Sequence, residues 1–490
     1  MGGLPVPSHV PNLIADADVS PTGEGWAEKL RPQDGQLLCR YGLSGANDVG
    51  RAVAAAMAAQ PDWAAVTPVR RGEILNDVTD ALRAHLDDMA EIVHAETGKS
   101  LKDARGETGG AIQQGRYWAG EGMRLHGRSL TSGSPGKYCM TVRQPLGVAG
   151  LIVPANTPIA NIAWKVFPAL ICGNAAVLKA SEDAPLTAWL FGRIAREAGL
   201  PPGVLNIVHG KGDEAGAALV GDERVALVSF TGSTRVGRVI GQVCAGRLAR
   251  VSLELGGKNP LVVCDDADLD NAVRWAALSA FSNAGQRCAA GSRIIVYDSI
   301  YEEFRKRFVA HAESLKVGAA DTDDFGPVIN ERQLRNMIEQ IGQAVSRGAR
   351  LLTGGKRLTD PARAQGFFLA PTILENVPTQ DDLSCEELFG PITVLYRVRD
   401  FGEALALANA TPFGLTAVIH TRNVHRAVEF GMKVRAGVAN VNIGTYGSEP
   451  HMPFGGFGQS GNGTREPGVE ALDVYSELKN IALTVDPEKL

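Results

Sequence analysis

Cys288 lies in NAGQRCAAGSR, between small residues that leave room around a sulfur. A cysteine is a nucleophile only as the thiolate and only where substrate reaches it; a lone one is as a rule a small buried hydrophobe. The adjacent Arg287 would supply positive potential if turned toward the sulfur, and would otherwise pair at the surface. Glu254, in SLELGGKNP, closes an apolar run and is followed by Gly256 and Gly257. Its carboxylate can take a proton from a thiol or from water if the fold brings the two segments together. Asn156, in PANTP, carries an amide able to donate to a developing oxyanion, although the segment also has the composition of an ordinary loop.

Two further segments have the form of nucleotide sites. VALVSFTGSTRVG runs a buried strand into Thr231, Gly232, Ser233 and Thr234 before a helix. Small residues there expose backbone donors to a pyrophosphate, and the helix dipole favours its charge; a plain N-capped helix has the same pattern. VLNIVHGKGDEAG contains GxGxxxG, one residue off the dinucleotide fingerprint, and reads better as a strand-to-helix turn. Lys179 and Glu182 follow another short apolar run, where a lysine can meet ribose or phosphate and a carboxylate can bind ribose hydroxyls.

These residues need elements to hold them. Apolar spacings near three and four predict helices over 49–60, 70–95 and 111–126, with a turn at 131–136 and an extended segment at 138–143. Short apolar runs at 147–153, 176–179, 204–208, 225–230 and 251–255 predict strands, with helices between them over 187–198, 213–220 and 234–245. That alternation is the pattern of a parallel sheet covered by helices, which binds ligands beyond the carboxyl ends of its strands. A second α/β region starts near Gly256, with strands expected at 260–264, 292–297 and 367–374 and helices at 300–315 and 331–347. The segment 470–487 is apolar enough to pair, with no partner identifiable from its own sequence.

At 490 residues the chain is long enough for two or three domains, and 44% hydrophobic with 21% charged residues is ordinary globular material. A formal charge of -5 gives no general attraction for nucleic acid or acidic membranes. No apolar stretch is long enough to span a bilayer, and the start lacks the form of a secretory signal. Seven cysteines without a CxxC pair fit reduced thiols, so cytoplasm is the expected address.

The stretches VPANTPIANIAWKVFPALICGNAAVLKASE, FTGSTRVG, SLELGGKNP, NAGQRCAAGSR, EELFGP and PFGGFGQSGNGTREPG occur in this order. Together they resemble the aldehyde dehydrogenase superfamily, in its hydrolytic NAD(P)-dependent branch, over nearly the whole chain. The resemblance implies an α/β fold with a Rossmann-type cofactor domain (1–127 and 146–255), an α/β catalytic domain (256–456) and a small β oligomerisation and bridging region (128–145 and 457–490). It assigns Cys288 as nucleophile, Glu254 as general base and Asn156, with the Cys288 amide, as oxyanion donors. Lys179 and Glu182 match contacts to the adenosine ribose, Thr231, Gly232 and Ser233 the phosphate turn, and Glu387 and Phe389 the nicotinamide-ribose region. The implied reaction is attack of the thiolate on an aldehyde, reduction of the nucleotide, and hydrolysis of the thioester by water activated at Glu254. A homodimer or homotetramer, and no metal, nucleic acid or membrane, complete the implication.

The sequence also departs from the family. Ala155 stands where an aromatic residue is common, and Thr157 where one is frequent. With Asn161, Trp164, Arg287 and Phe454, Thr157 is a candidate for the substrate tunnel, leaving open an apolar or aromatic aldehyde or an aliphatic semialdehyde with a distal polar group. Arg235 replaces an acidic residue after the phosphate turn and would admit NADP, whereas Glu182 repels a 2′-phosphate and favours NAD. GNGTREPG has one residue more than the usual motif, which leaves the role of Glu466 open. The competing functions are a coenzyme A-acylating relative, a branch that generally lacks the glutamate matched by Glu254, and a non-catalytic homologue with the same fold.

Overall fold

The computed structural model describes residues 6–23 and 25–489. Its strands sort into two seven-stranded and two three-stranded sheets. In the first large sheet the order is Arg250–Glu254, Val225–Thr231, Val148–Ile152, Ala175–Lys179, Leu205–Val208, Asn12–Ile14 and Ala17–Val19. The first five are parallel; Asn12–Ile14 pairs antiparallel with Leu205–Val208, and Ala17–Val19 antiparallel with Asn12–Ile14. Every residue of Ala175–Lys179 and Leu205–Val208 is buried, because helices cover both faces of the sheet. Trp63, Trp118, Phe167 and Phe191 are buried in the core that the helices and this sheet share, each such burial contributing about 1.5–3 kcal/mol.

The second large sheet runs Arg350–Thr353, Thr372–Glu375, Ile392–Val398, Arg293–Tyr297, Pro260–Val263, Thr416–His420 and Val438–Val441. All but the first are parallel. Its core is aromatic, with Phe281, Phe304, Phe308, Phe325 and Phe368 buried. A small sheet pairs Ser476–Thr484 with Lys137–Pro145 over nine residues in antiparallel register, with Ser129–Leu130 on the other side. This supplies the partner that the carboxyl-terminal segment did not reveal by itself.

Several elements differ from the sequence reading. The helix expected over 70–95 is two, Pro68–Ala84 and Leu86–Thr97, broken at His85 (φ -100°, ψ 23°). The helix expected at 111–126 starts ten residues earlier, at Leu101, where the Ser100 hydroxyl accepts from the Asp103 amide, and it ends at Glu121. Of the expected strand 367–374 only 372–374 pairs in a ladder, in the strand Thr372–Glu375.

Candidate active site

The two large sheets meet end to end. The chain leaves the carboxyl end of Arg250–Glu254, crosses Leu255 to Asn259 and enters the amino end of Pro260–Val263. Asn156 and Thr231 therefore come from carboxyl ends of the first sheet, while Cys288, Glu387 and Phe389 come from loops leading into strands of the second. A cavity of about 460 Å³ lies at this junction. Asn156, Thr157, Asn161, Trp164, Thr231, Gly232, Ser233, Glu254, Cys288, Glu387, Phe389 and Phe454 all line it.

The nucleophile loop is tightly shaped. Asn283, Ala284 and Gly285 have φ of 54°, 53° and 65°, a left-handed run unusual outside glycine. A Cβ at Gly285 would lie 2.0 Å from the Gly390 carbonyl oxygen, so only glycine fits there. Asn259 Nδ2 donates to the carbonyls of Cys288 (2.8 Å) and Ala290 (2.9 Å), and Gln286 Oε1 accepts from the Ile329 amide (2.9 Å). Burial, then the nearby carboxyls of Glu387 and Glu254, push the Cys288 thiol up to about 12. The Ala289 amide and Arg287 act against this rise.

Asn156 Nδ2 donates to the Gln286 carbonyl at 3.1 Å. An amide has two N–H groups, so one anchors the side chain and the other is free to donate into the cavity. The backbone around it is held by a buried ion pair. Lys99 donates to the Asn156 carbonyl at 2.8 Å and to Glu107, whose Oε1 accepts from the amides of Ile159 (3.0 Å) and Ala160 (3.3 Å). Glu107 thereby satisfies the first donors of helix Pro158–Ile171. Asn161 turns to this loop, donating to the Thr157 hydroxyl (2.8 Å) and carbonyl (2.9 Å). The Trp164 and Phe454 rings meet edge to face at 5.5 Å.

Glu254 is buried, and neither carboxyl oxygen has a hydrogen-bond partner. Burial and the charge of Glu466 raise its carboxyl well above the usual range, with Lys165 and Arg465 opposing. Glu466, whose role the sequence left open, anchors a buried network. It accepts from Lys165 (2.8 Å), Ser229 (2.7 Å), Ser252 (3.0 Å) and the Tyr475 hydroxyl (3.0 Å).

The residues expected to hold a nucleotide divide into two groups. Ser233 caps helix Thr234–Gly246 by accepting from the Val236 amide (3.4 Å), so the helix amino terminus opens on the cavity beside Gly232. Glu387 accepts from the Gly257 amide at 3.1 Å, and a Cβ at Gly256 would lie 2.1 Å from its carboxyl. Burial pushes this carboxyl up to about 7. Lys179 and Glu182 do not line the cavity; they sit 3.9 Å apart at the end of Ala175–Lys179, where Glu182 accepts from the Gly212 amide at 2.9 Å. The GKG segment is therefore a turn locked by Glu182. Gln333 and Asn336, from helix Glu331–Ser346, also line the cavity and carry no local sequence signal.

A second cavity of about 510 Å³, here the outer cavity, also reaches Cys288. It shares Asn156, Thr157, Ala160, Trp164, Cys288 and Phe454 with the first and adds Arg287 and Tyr446. Among the described residues no cluster of histidine, cysteine, aspartate and glutamate is placed to hold a metal, and no helix is long and apolar enough to cross a membrane.

Residues 19–481 match the sequence model of the aldehyde dehydrogenase family. The chain belongs to that family. An alpha-ketoglutaric semialdehyde dehydrogenase of Bacillus subtilis is 39% identical over 440 residues, covering 89% of this chain and 90% of its own. A phenylacetaldehyde dehydrogenase of Pseudomonas fluorescens is 38% identical over 492 residues, covering 98% and 97%. The crystal structure of betaine aldehyde dehydrogenase from Staphylococcus aureus in complex with NAD+ superposes with a TM-score of 0.95 at 30% identity, covering 98% of this aldehyde dehydrogenase and 95% of that chain. The α/β fold with a Rossmann-type nucleotide domain, a catalytic domain and a small β element is that of the family.

Proposed function

We propose that this aldehyde dehydrogenase converts an aldehyde to a carboxylic acid through a thioester on Cys288 that water hydrolyses, with NAD as the favoured nucleotide. The observation that carries the reading is the convergence of Cys288, Glu254 and Asn156 on one cavity from segments far apart in the chain. Once the Cys288 thiol has lost its proton to solvent, the thiolate adds to the carbonyl carbon, and the free N–H of Asn156 with the Cys288 amide donates to the oxyanion. One such donor is worth about 2.7–4 kcal/mol of transition-state stabilisation. A nicotinamide nucleotide held by Gly232, Ser233, Glu387 and Phe389 would supply the hydride acceptor. Glu254, with a raised carboxyl and no protein partner, takes a proton from water as that water attacks the thioester.

The cavity fits a dinucleotide. The amino terminus of helix Thr234–Gly246 suits a pyrophosphate and Glu387 a ribose hydroxyl, while Lys179 and Glu182, outside the cavity, suit the second ribose. The Glu182 carboxylate repels a 2′-phosphate, and the Staphylococcus aureus relative binds NAD+. Glu254 favours water over coenzyme A as the acyl acceptor. The exposed apolar side chains of Ser476–Thr484 and its paired strand, Leu478, Leu483, Tyr138 and Met140, suit assembly into a homodimer or homotetramer. The seven free cysteines agree with a reducing, cytoplasmic setting. Domain limits at 127/128, 145/146, 255/256 and 456/457 follow the same reading.

Rapid quench of purified protein with NAD and an aldehyde tests the mechanism. Glu254→Gln is expected to form the acyl-enzyme and retain it, while Cys288→Ala forms none. Normal thioester turnover in Glu254→Gln would overturn the role of the base.

A further inference from the structure

We propose that the outer cavity selects aldehydes bearing an anionic group a few carbons from the carbonyl, a carboxylate above all, and that Arg287 reads that group. The inference rests on the aldehyde-oxidising reading above and names its substrate class. The relatives leave the class open, since one is named for a semialdehyde acid and another for an aromatic aldehyde.

Arg287 lines the outer cavity beside Cys288. Its guanidinium carbon lies 4.6 Å from the centroid of the Tyr446 ring, a stacking contact that fixes the orientation of the fork. Its Nε is buried without a hydrogen-bond partner, and among the described residues no carboxylate pairs with it. A half-buried cation without a partner is costly in the free protein, and a ligand carboxylate removes that cost through paired N–H···O bonds.

The other charges of this cavity do not serve as well. Lys99 is consumed by Glu107 and the Asn156 carbonyl, and Lys102 stands exposed at the rim beside Asp103. Arg287 is thus the unpaired cation next to the sulfur. Because Arg287 and Cys288 are chain neighbours lining one cavity, a substrate bonded to the sulfur that also meets the guanidinium spans no more than the reach of the Arg287 side chain. Trp164 and Phe454 flank that chain with apolar surface. A cationic aldehyde would meet like charge.

The test compares kcat/KM for succinic and glutaric semialdehydes with butanal and pentanal, in the wild type, Arg287→Gln and Arg287→Lys. The wild type is expected to favour the carboxylate member of each pair by about tenfold to hundredfold, the range for a hydrogen bond to a charged group. Arg287→Gln should bring the ratio close to one, and Arg287→Lys should keep part of it. Arg287 also acts on the thiol, so absolute rates will change; the ratio within one variant cancels that effect. A wild-type ratio near one, with butanal and pentanal oxidised, overturns this inference and leaves the reaction standing. A ratio that survives in Arg287→Gln also overturns it. No oxidation of any of the four, with phenylacetaldehyde oxidised, overturns this inference and leaves the reaction standing; no oxidation of any of the five overturns both.

Discussion

Consider the reactivity of Cys288 in the protein without nucleotide. With the thiol pushed up to about 12, the thiolate fraction at pH 8 is about one in ten thousand, against roughly a quarter for an ordinary thiol near 8.5. The more basic thiolate is intrinsically the better nucleophile, and a Brønsted slope of about 0.4–0.5 returns some 25- to 55-fold of that deficit. The net expectation is attack on a neutral disulfide about 50- to 100-fold slower than by a free thiol at the same pH. The assay is stopped-flow reaction with 4,4′-dithiodipyridine, taking wild type minus Cys288→Ser to remove the half-exposed Cys139 and Cys385. The rate should climb close to tenfold per pH unit from 7 to 10 without levelling. Glu387→Gln removes a negative neighbour that holds the thiol up, so it should raise the rate at every pH in this range. A plateau below about pH 9, where an ordinary thiol has largely ionised, would refute the reasoning, as would a rate indifferent to Glu387→Gln.

Two further outcomes follow from the surroundings of the site. Lys165→Met leaves Glu466 buried without its cation and should cost about 3–5 kcal/mol in urea unfolding, whereas Lys165→Met with Glu466→Gln should cost less; equal losses would show that the charge pair is not the cause. Gly285→Ala sets a Cβ 2.0 Å from the Gly390 oxygen at φ 65°, so it should destabilise by more than about 1–2 kcal/mol and lower the acylation rate; an unchanged melting temperature with full acylation would contradict the described loop.

What the sequence disclosed depended on how local each signal was. The strands at 175–179 and 293–297 are legible because both faces are buried and the runs are apolar apart from the terminal Lys179 and Arg293. Helix Pro158–Ile171 has no such legibility: nearly every residue is buried, so its apolar pattern has no polar face, and prolines stand at its start and inside it. Cys288, Glu254 and Asn156 were visible as residue types with suitable neighbours. Their meeting was not, because it requires the carboxyl ends of one sheet to abut the amino ends of another. Lys99 and Lys165 gave no signal at all, since each acts on a group 57 or 301 residues away. Buried charges of this kind are defined by their partners, and a partner is a property of the fold.

The meeting of the two cavities at Cys288 makes the centre a passage with a mouth on each side. A molecule threaded past the sulfur can lodge one end among Gly232, Ser233 and Glu387 and the other beside Tyr446. Two weak fragments joined by a linker of matching span would then bind as one ligand, the second at an effective concentration near the millimolar range, with avidity about 10²- to 10⁴-fold above either alone. Such a compound need not react with the thiol: by filling the constriction, it would keep nucleotide and aldehyde from meeting across it.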